Sequence, residues 1–304
     1  MKKLNVTWNG VHDCTGYLFS FAKSLSCAVK NSPWAEYAED IITTSGFAFR
    51  MWVSADLCPS ATSIWEFKKQ RDWITSGGLK CEYTQRLWGE ETVEEERHMA
   101  AAAQIKKSID YGVPAVSWDI GIPEWGLIIG YDDDTNKFSA LAVNGEVEMP
   151  YDVLGKREIP ILSVLTITGV SGKSKEEILK DTLKIAAGHL QGGEWAENAK
   201  GLDAYSALIK HFEEINPDTS WNMEYFLGTF GALKYYAWKY FEKMNQDQLS
   251  GIYRDVYDSW QQAFKIKTNE DINGLAVRGK IVSLLKSAHE NELRAVDIMR
   301  RLTK

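Results

Sequence analysis

The sequence has no apolar run approaching 18 residues, no C-x-x-C pair and no excess of basic residues. Its 35 Lys and Arg against 42 Asp and Glu give a formal charge of −7, which argues against nucleic acid or an anionic membrane as a partner. The four cysteines have no histidine at metal-ligand spacing and lie in the first third of the chain, so we expect no metal, no cofactor and no disulfide framework. The opening MKKLNVTWNGV lacks an apolar segment after its lysines, which predicts no signal peptide and a cytoplasmic location.

The composition that is present is that of a globular protein, with 44% hydrophobic and 25% charged residues among 304. The pattern changes near residues 168–177: short β-branched and aromatic runs alternate with helical stretches before it, and helical periodicity dominates after it. We therefore predict an α+β domain over residues 1–170 and an α-helical bundle over 174–304. The aromatic helix at 223–244 is predicted as bundle core or as the face of a homodimer.

Local signals predict several elements. Thr92 with Glu95, and Ser174 with Glu177, have the spacing of capping boxes that open helices. Strand-like runs cover 113–119, 125–132, 138–143 and 159–168, with weaker candidates at 47–53 and 79–88. The acidic turn at 132–137 lacks the glycine and terminal glutamate of a calcium loop, so a hairpin turn is the better interpretation.

In GVHDCTGYLFSFAKSL, residues 10–25, Cys14 comes just before a run whose apolar residues have helical spacing. The pattern predicts a helix capped by Asp13 or Thr15, and a thiol at a helix N-terminus has a lowered pKa that favours the thiolate. Cys14 is then a candidate nucleophile; the alternative is a small buried residue. His12 precedes Cys14 by two residues, and its ring reaches the thiol only if the loop that leads into the predicted helix turns back.

The order of these pieces resembles that of papain-like folds, in particular C39-like peptidases and the N-terminal domain family of butirosin biosynthesis protein H. Those domains have a DC pair before the first helix, as Asp13 and Cys14 do here. A G-x-P-V-I strand precedes their histidine strand, H-W-V-V-V-I-G-Y-D, and residues 112–116 and 124–132 are similar to these two segments. The resemblance covers residues 5–168 and implies a papain-like α+β domain with an antiparallel sheet.

The resemblance also implies roles for individual residues. Cys14 takes the place of the nucleophile that attacks an acyl carbon in a small or carrier-bound substrate. Glu124 takes the place of the histidine, and Asn144 falls near the Asp or Asn that orients it. Trp8 occupies the position of the oxyanion-hole glutamine and is counted with the substrate-binding residues; Asn9, one residue out of register, is the substitute donor.

The carboxylate at Glu124 is the main departure from the family. With an ordinary pKa of about 4.3 it leaves a thiol protonated, and its charge repels a thiolate. Two hypotheses stay open. The first is a cysteine-dependent acyltransferase or amide hydrolase, with Glu124 or His12 as proton acceptor for Cys14. The second is a catalytically inactive papain-like module that binds a small molecule or a protein.

The segment WDIGIPEWG places Trp118, Asp119 and Trp125 around a turn that contains Glu124. These side chains form either the rim of a pocket or a tightly packed loop. In a papain-like arrangement Cys14 and Glu124 share this pocket, and indole faces with carboxylates attract cations. We therefore expect amines and amides to bind there better than anions.

Overall fold

The computed structural model describes residues 1–194, 198–214 and 217–304. The chain forms two compact units. Unit 1 comprises Met1–Val11, Ser20–Ile41 and Gly78–Gly172, and unit 2 comprises His12–Phe19, Ile42–Gly77 and Lys173–Lys304. The change of pattern near residue 172 thus marks the start of the long C-terminal part of unit 2, to which two earlier segments also belong.

Each unit has its own secondary structure. Unit 1 contains β1 (Lys2–Lys3), α1 (Ser20–Lys30), β3 (Leu79–Arg86), α4 (Glu94–Asp110), β4 (Ala115–Ser117), β5 (Gly126–Asp132), β6 (Lys137–Ala142), β7 (Gly145–Pro150) and β8 (Leu162–Val170). Unit 2 contains β2 (Trp52–Val53), α3 (Gln70–Ser76), α5 (Lys175–Leu190), β9 (Ala199–Lys200), α6 (Asp203–Glu213), α7 (Ser220–Lys243), α8 (Asp247–Asn269) and α9 (Leu275–Leu302). The short helix α2 (Ile41–Thr44) lies where the chain passes from unit 1 to unit 2.

The strands of unit 1 form an antiparallel sheet in the order β3-β8-β4-β5-β6-β7, with β1 paired to β5. The predicted α+β class, the antiparallel sheet and the β5–β6 hairpin are therefore confirmed. Ile128 of β5 packs in a core cluster with Ile105 of α4, and its neighbours Leu127 and Ile129 on the other face are also buried. Burial on both faces explains why β5 has a continuous apolar run instead of an alternating one.

The two predicted capping boxes differ in outcome. Ser174 Oγ accepts a hydrogen bond from the Glu177 N–H at 3.2 Å, and the Glu177 carboxylate accepts one from the Ser174 N–H at 2.8 Å, so this box is confirmed. α4 instead begins at Glu94 after Val93, with no capping side chain. Thr92 lies in the preceding 3-10 turn, so its predicted capping role is wrong.

The weaker strand candidate at residues 47–53 is confirmed only at its end. Its last two residues, Trp52 and Val53, form β2.

Helix α7 shows how the predicted bundle is built. Its aromatic residues are mostly buried, which makes the helix part of the core of unit 2: Tyr225, Phe226, Phe230, Tyr236, Tyr240 and Phe241. α7 packs against α8, and α8 against α9. Over the described ranges, no helix is at once long and apolar enough to cross a membrane.

Candidate functional site

The predicted site residues fall into two groups. Cys14 and His12 belong to unit 2. The other predicted residues belong to unit 1: Trp8, Asn9, Trp118, Asp119, Glu124, Trp125 and Asn144. We call Cys14, His12, Tyr235, Tyr257 and Gln261 the thiol cluster, and Ser20, Phe21, Trp118, Glu124 and Trp125 the carboxylate cluster.

Cys14 lies in a loop and not at the start of a helix. Helix α1 begins at Ser20, six residues further on. The Asp13 carboxylate accepts hydrogen bonds from the N–H groups of Gly16, at 2.9 Å, and Leu18, at 3.1 Å, and Gly16 has a φ of +80°. This turn, with a left-handed residue in it, competes with helix formation. The predicted helix start is therefore wrong, and the helix dipole does not explain the state of the thiol.

The Cys14 thiol is surrounded by neutral hydrogen-bonding groups. Gln261 Nε2 donates a hydrogen bond to Sγ at 3.2 Å, and the Tyr257 hydroxyl is a second partner. Burial raises the pKa of the half-buried thiol, and the charge of Asp13 acts in the same direction. The two hydrogen bonds only partly oppose this increase. Cys14 is thus a protonated thiol at neutral pH.

The His12 side chain, the second candidate base, makes an aromatic contact. Its ring stacks on Tyr235, with ring centroids 3.9 Å apart and planes at 26°. Its backbone carbonyl accepts a hydrogen bond from the Tyr236 hydroxyl at 2.8 Å. Tyr235 in turn meets Tyr257 edge-on at 5.7 Å. The aromatic rings therefore link His12 by packing to Tyr257, one of the two partners of Cys14.

Sequence reasoning missed Tyr257 and Gln261. They lie on α8 and are four residues apart, so they share one face of that helix. The i,i+4 spacing is common to most helical pairs, and more than 240 residues separate Gln261 from Cys14. The sequence therefore holds no signal specific to this contact.

Glu124 is bound to the first residue of α1. The Ser20 hydroxyl donates a hydrogen bond to Glu124 Oε2, and the Trp125 N–H donates to Ser20 Oγ at 3.3 Å. Burial raises the pKa of Glu124, while the hydrogen bond from Ser20 and the Trp125 N–H lower it in part. A carboxyl group with a raised pKa exchanges protons closer to neutral pH than an exposed one.

The three other predicted site residues of the WDIGIPEWG segment are buried. Trp118, Asp119 and Trp125 are 7%, 3% and 1% exposed, and the two indoles pack at 5.3 Å, with Phe21 at 4.8 Å from Trp125. Arg157 lies 3.8 Å from the Asp119 carboxylate, and burial raises the pKa of that group. The burial of these three side chains favours the second of the two alternatives, a tightly packed loop.

Trp8, Asn9 and Asn144 lie toward the surface of unit 1. Trp8 Nε1 donates a hydrogen bond to the carbonyl of Ala142, the last residue of β6, at 3.0 Å. Asn144 is exposed in the turn between β6 and β7, and Asn9 is exposed in the entering loop. Because β5 and β6 are antiparallel, Glu124 before β5 and Asn144 after β6 lie beyond the same end of this strand pair.

The acidic segment after β5 is a hairpin turn. The Asp132 carboxylate accepts hydrogen bonds from the Asp134 N–H at 3.2 Å and the Thr135 hydroxyl at 3.0 Å. These bonds close the turn between β5 and β6. Among the residues that the structure describes, no group of three or more His, Cys, Asp or Glu side chains could hold a metal ion.

No family model matches the chain, and no curated protein matches its sequence. The likeness to papain-like domains therefore rests on the short motifs around Cys14 and Glu124.

Proposed function

We propose that this chain is a catalytically inactive module of the papain-like type, which binds a small molecule or a protein without turning it over. The observation that carries the proposal is the pairing of Cys14 with two neutral groups, Tyr257 and Gln261. An amide does not titrate, and burial, with the nearby Cys14, raises the pKa of Tyr257. Neither partner can take the thiol proton at neutral pH.

The state of Glu124 supports the same proposal. Its carboxyl group, at the position that corresponds to the family's histidine, is hydrogen-bonded to Ser20 and has a raised pKa. A carboxylate cannot form the thiolate–imidazolium pair on which papain-like catalysis depends. Binding without covalent chemistry needs no such pair.

A second candidate function is cysteine-dependent acyl transfer or amide hydrolysis, and the amide of Gln261 favours it. This N–H group donates to Sγ at 3.2 Å, so an acyl group attacked by the sulfur would bring its oxyanion beside the same amide. The S–H group adds to the acyl carbon, the bond to the leaving group breaks, and the thiol proton goes to that leaving group. A thioester suits this site better than an amide, because a thiolate leaves more readily than an amine does and takes up the thiol proton after it has left.

An acylation experiment separates the two functions. The full chain is incubated at neutral pH with the acetyl thioester of N-acetylcysteamine, and acylation of each cysteine is followed by mass spectrometry. We expect Cys14 to react no faster than N-acetylcysteine in solution, because its thiol is protonated. Cys14→Ser identifies the reacting residue, and Cys58→Ser, at another half-buried thiol, is the matched control.

Acylation of Cys14 about tenfold faster than the free thiol would establish the transferase function and overturn the proposal.

The binding activity has its own test, with benzylamine, benzamide and benzoate as probes in calorimetry. We expect the amine and the amide to bind better than the acid, and Glu124→Gln to weaken them more than Cys14→Ser does. Preferred binding of benzoate would contradict the proposed ligand chemistry.

A further inference from the structure

Unit 1 has a groove of about 470 Å³ between α4 and the strands β3 and β8 at one edge of its sheet. This volume is in the range of small-molecule sites. Gln104 and Ser108 of α4 and Thr166 of β8 line it and are buried, so they form its floor. None of the residues discussed for the thiol or carboxylate cluster lines it.

The floor of the groove is fixed by hydrogen bonds. Gln104 Nε2 donates to the carbonyl of Glu82 at 2.9 Å and to Thr166 Oγ1 at 3.0 Å, and the Thr84 hydroxyl donates to Gln104 Oε1 at 2.6 Å. Because Thr166 accepts from Gln104, its own O–H can donate to a ligand in the groove. Thr166 is 2% exposed, so such a hydrogen bond would be well shielded from water.

An aromatic ring stands at the mouth of the groove. Tyr111 follows the end of α4 and is 64% exposed. It stacks on Trp34, with ring centroids 6.1 Å apart and planes at 23°. One face of the Tyr111 ring is supported by this contact, and the ring can stack on a flat ligand at little entropic cost.

The charges at the rim are paired with each other. Lys107 Nζ lies 3.5 Å from Glu82 Oε2, and Lys2 Nζ lies 2.9 Å from Asp110 Oδ1. The hydrogen bond from Lys2 lowers the pKa of Asp110, so this carboxylate stays ionised at neutral pH. Two carboxylates and two ammonium groups leave no net charge to attract an ion.

We propose that this groove binds a small uncharged molecule with a flat ring and a polar group that accepts a hydrogen bond. The ring stacks on Tyr111, and the polar group accepts the proton of Thr166. An ammonium or carboxylate in place of the polar group would lose hydration without finding an unpaired opposite charge. The site is independent of the proposed function of the papain-like module.

The test uses three indole compounds of one shape, namely indole-3-acetamide, tryptamine and indole-3-acetate. Their dissociation constants for the full chain are measured by ligand-observed NMR. We expect the neutral amide to bind about fivefold more tightly than either charged compound. Tyr111→Ala should weaken the amide about fivefold through lost stacking, and Thr166→Val should weaken it by a similar factor.

Two control variants locate the binding. Tyr111→Phe keeps the ring and should keep the affinity, and Trp88→Ala removes an aromatic side chain of similar exposure, 57%, that does not line the groove. Circular dichroism checks that each variant is folded. The proposal is wrong if the amide does not bind below about 10 mM, if a charged analogue binds better, or if Tyr111→Ala has no effect.

Discussion

Removing the buried ammonium group of Lys234 should destabilise the helical part of unit 2 severely. Lys234 of α7 and Glu292 of α9 are both fully buried, and Nζ lies 2.8 Å from Glu292 Oε1. The Tyr205 hydroxyl of α6 donates to Glu292 Oε2 at 2.8 Å, and Trp260 Nε1 of α8 donates to the Tyr205 oxygen at 2.9 Å. This network joins four helices. Because Lys234 and Glu292 are both fully buried, water does not reach their charges.

The magnitude follows from the burial of both charges. Methionine has a side chain of similar length to lysine, but Lys234→Met leaves the Glu292 carboxylate buried without a counter-charge. This loss should lower the free energy of unfolding by about 3–5 kcal/mol. Glu292→Gln leaves the ammonium group in the same position and should cost a similar amount. The double variant is neutral, and the amide carbonyl that replaces the Glu292 carboxylate can still accept from Tyr205. Its loss should therefore be smaller than the sum of the two single losses by about 2–3 kcal/mol.

Urea unfolding followed by circular dichroism measures these free energies. The matched control is Lys239→Met on the same helix, because Lys239 pairs with Glu242 at 2.7 Å and the two side chains are 41% and 53% exposed. We expect that change to stay within about 0.5 kcal/mol. A loss below about 1 kcal/mol for Lys234→Met, or strictly additive losses in the double variant, would refute the argument.

Three further predictions concern other parts of the chain. Iodoacetamide should alkylate Cys14 slowly at neutral pH, with a rate that rises beyond pH 9, because burial raises the thiol pKa above its ordinary value of 9.0. Tyr257→Phe removes a hydrogen bond that lowers this pKa, so it should move the increase in rate to higher pH. An alkylation rate that reaches a plateau below pH 8 would contradict the raised pKa. Glu194→Gln should lower the free energy of unfolding by about 3–5 kcal/mol at neutral pH, since it leaves Arg50 buried without a counter-charge 2.9 Å away. Burial opposes ionisation of Glu194, but Arg50 holds its pKa at about 2. The native protein should therefore exceed Glu194→Gln in free energy of unfolding by the full amount above about pH 4.3, and by less as the pH falls towards 2. Unfolding of both proteins at a series of acid pH values checks this, and a free-energy difference that stays constant would disprove it. Ser174→Ala should cost about 1 kcal/mol through the lost cap of α5, measured by thermal unfolding, whereas an unchanged midpoint would show that the cap contributes nothing.

Much of the fold could be predicted because its signals are local. The capping box of Ser174 and Glu177 involves neighbouring residues, and it forms as predicted. The hairpin of β5 and β6 needs only two apolar runs and the turn between them. Such features depend on backbone preferences and on contacts within a few residues.

The candidate site was only partly predictable, because distant packing decides it. Periodicity alone placed a helix start near Cys14, but the turn around Asp13 and Gly16 moves the start to Ser20. The chemical state of the thiol depends first on its burial and then on partners such as Gln261, which the folding of α8 brings to 3.2 Å from Sγ. No short-range pattern encodes that distance.

The sequence by itself determined the α+β class, the change to helical periodicity near residues 168–177 and the carboxylate at position 124. Only the tertiary structure decided that the indoles of Trp118 and Trp125 are buried and that residues 12–19 belong to unit 2. The physical reason is that burial depends on which faces of distant elements pack together, whereas periodicity shows only that a face is apolar.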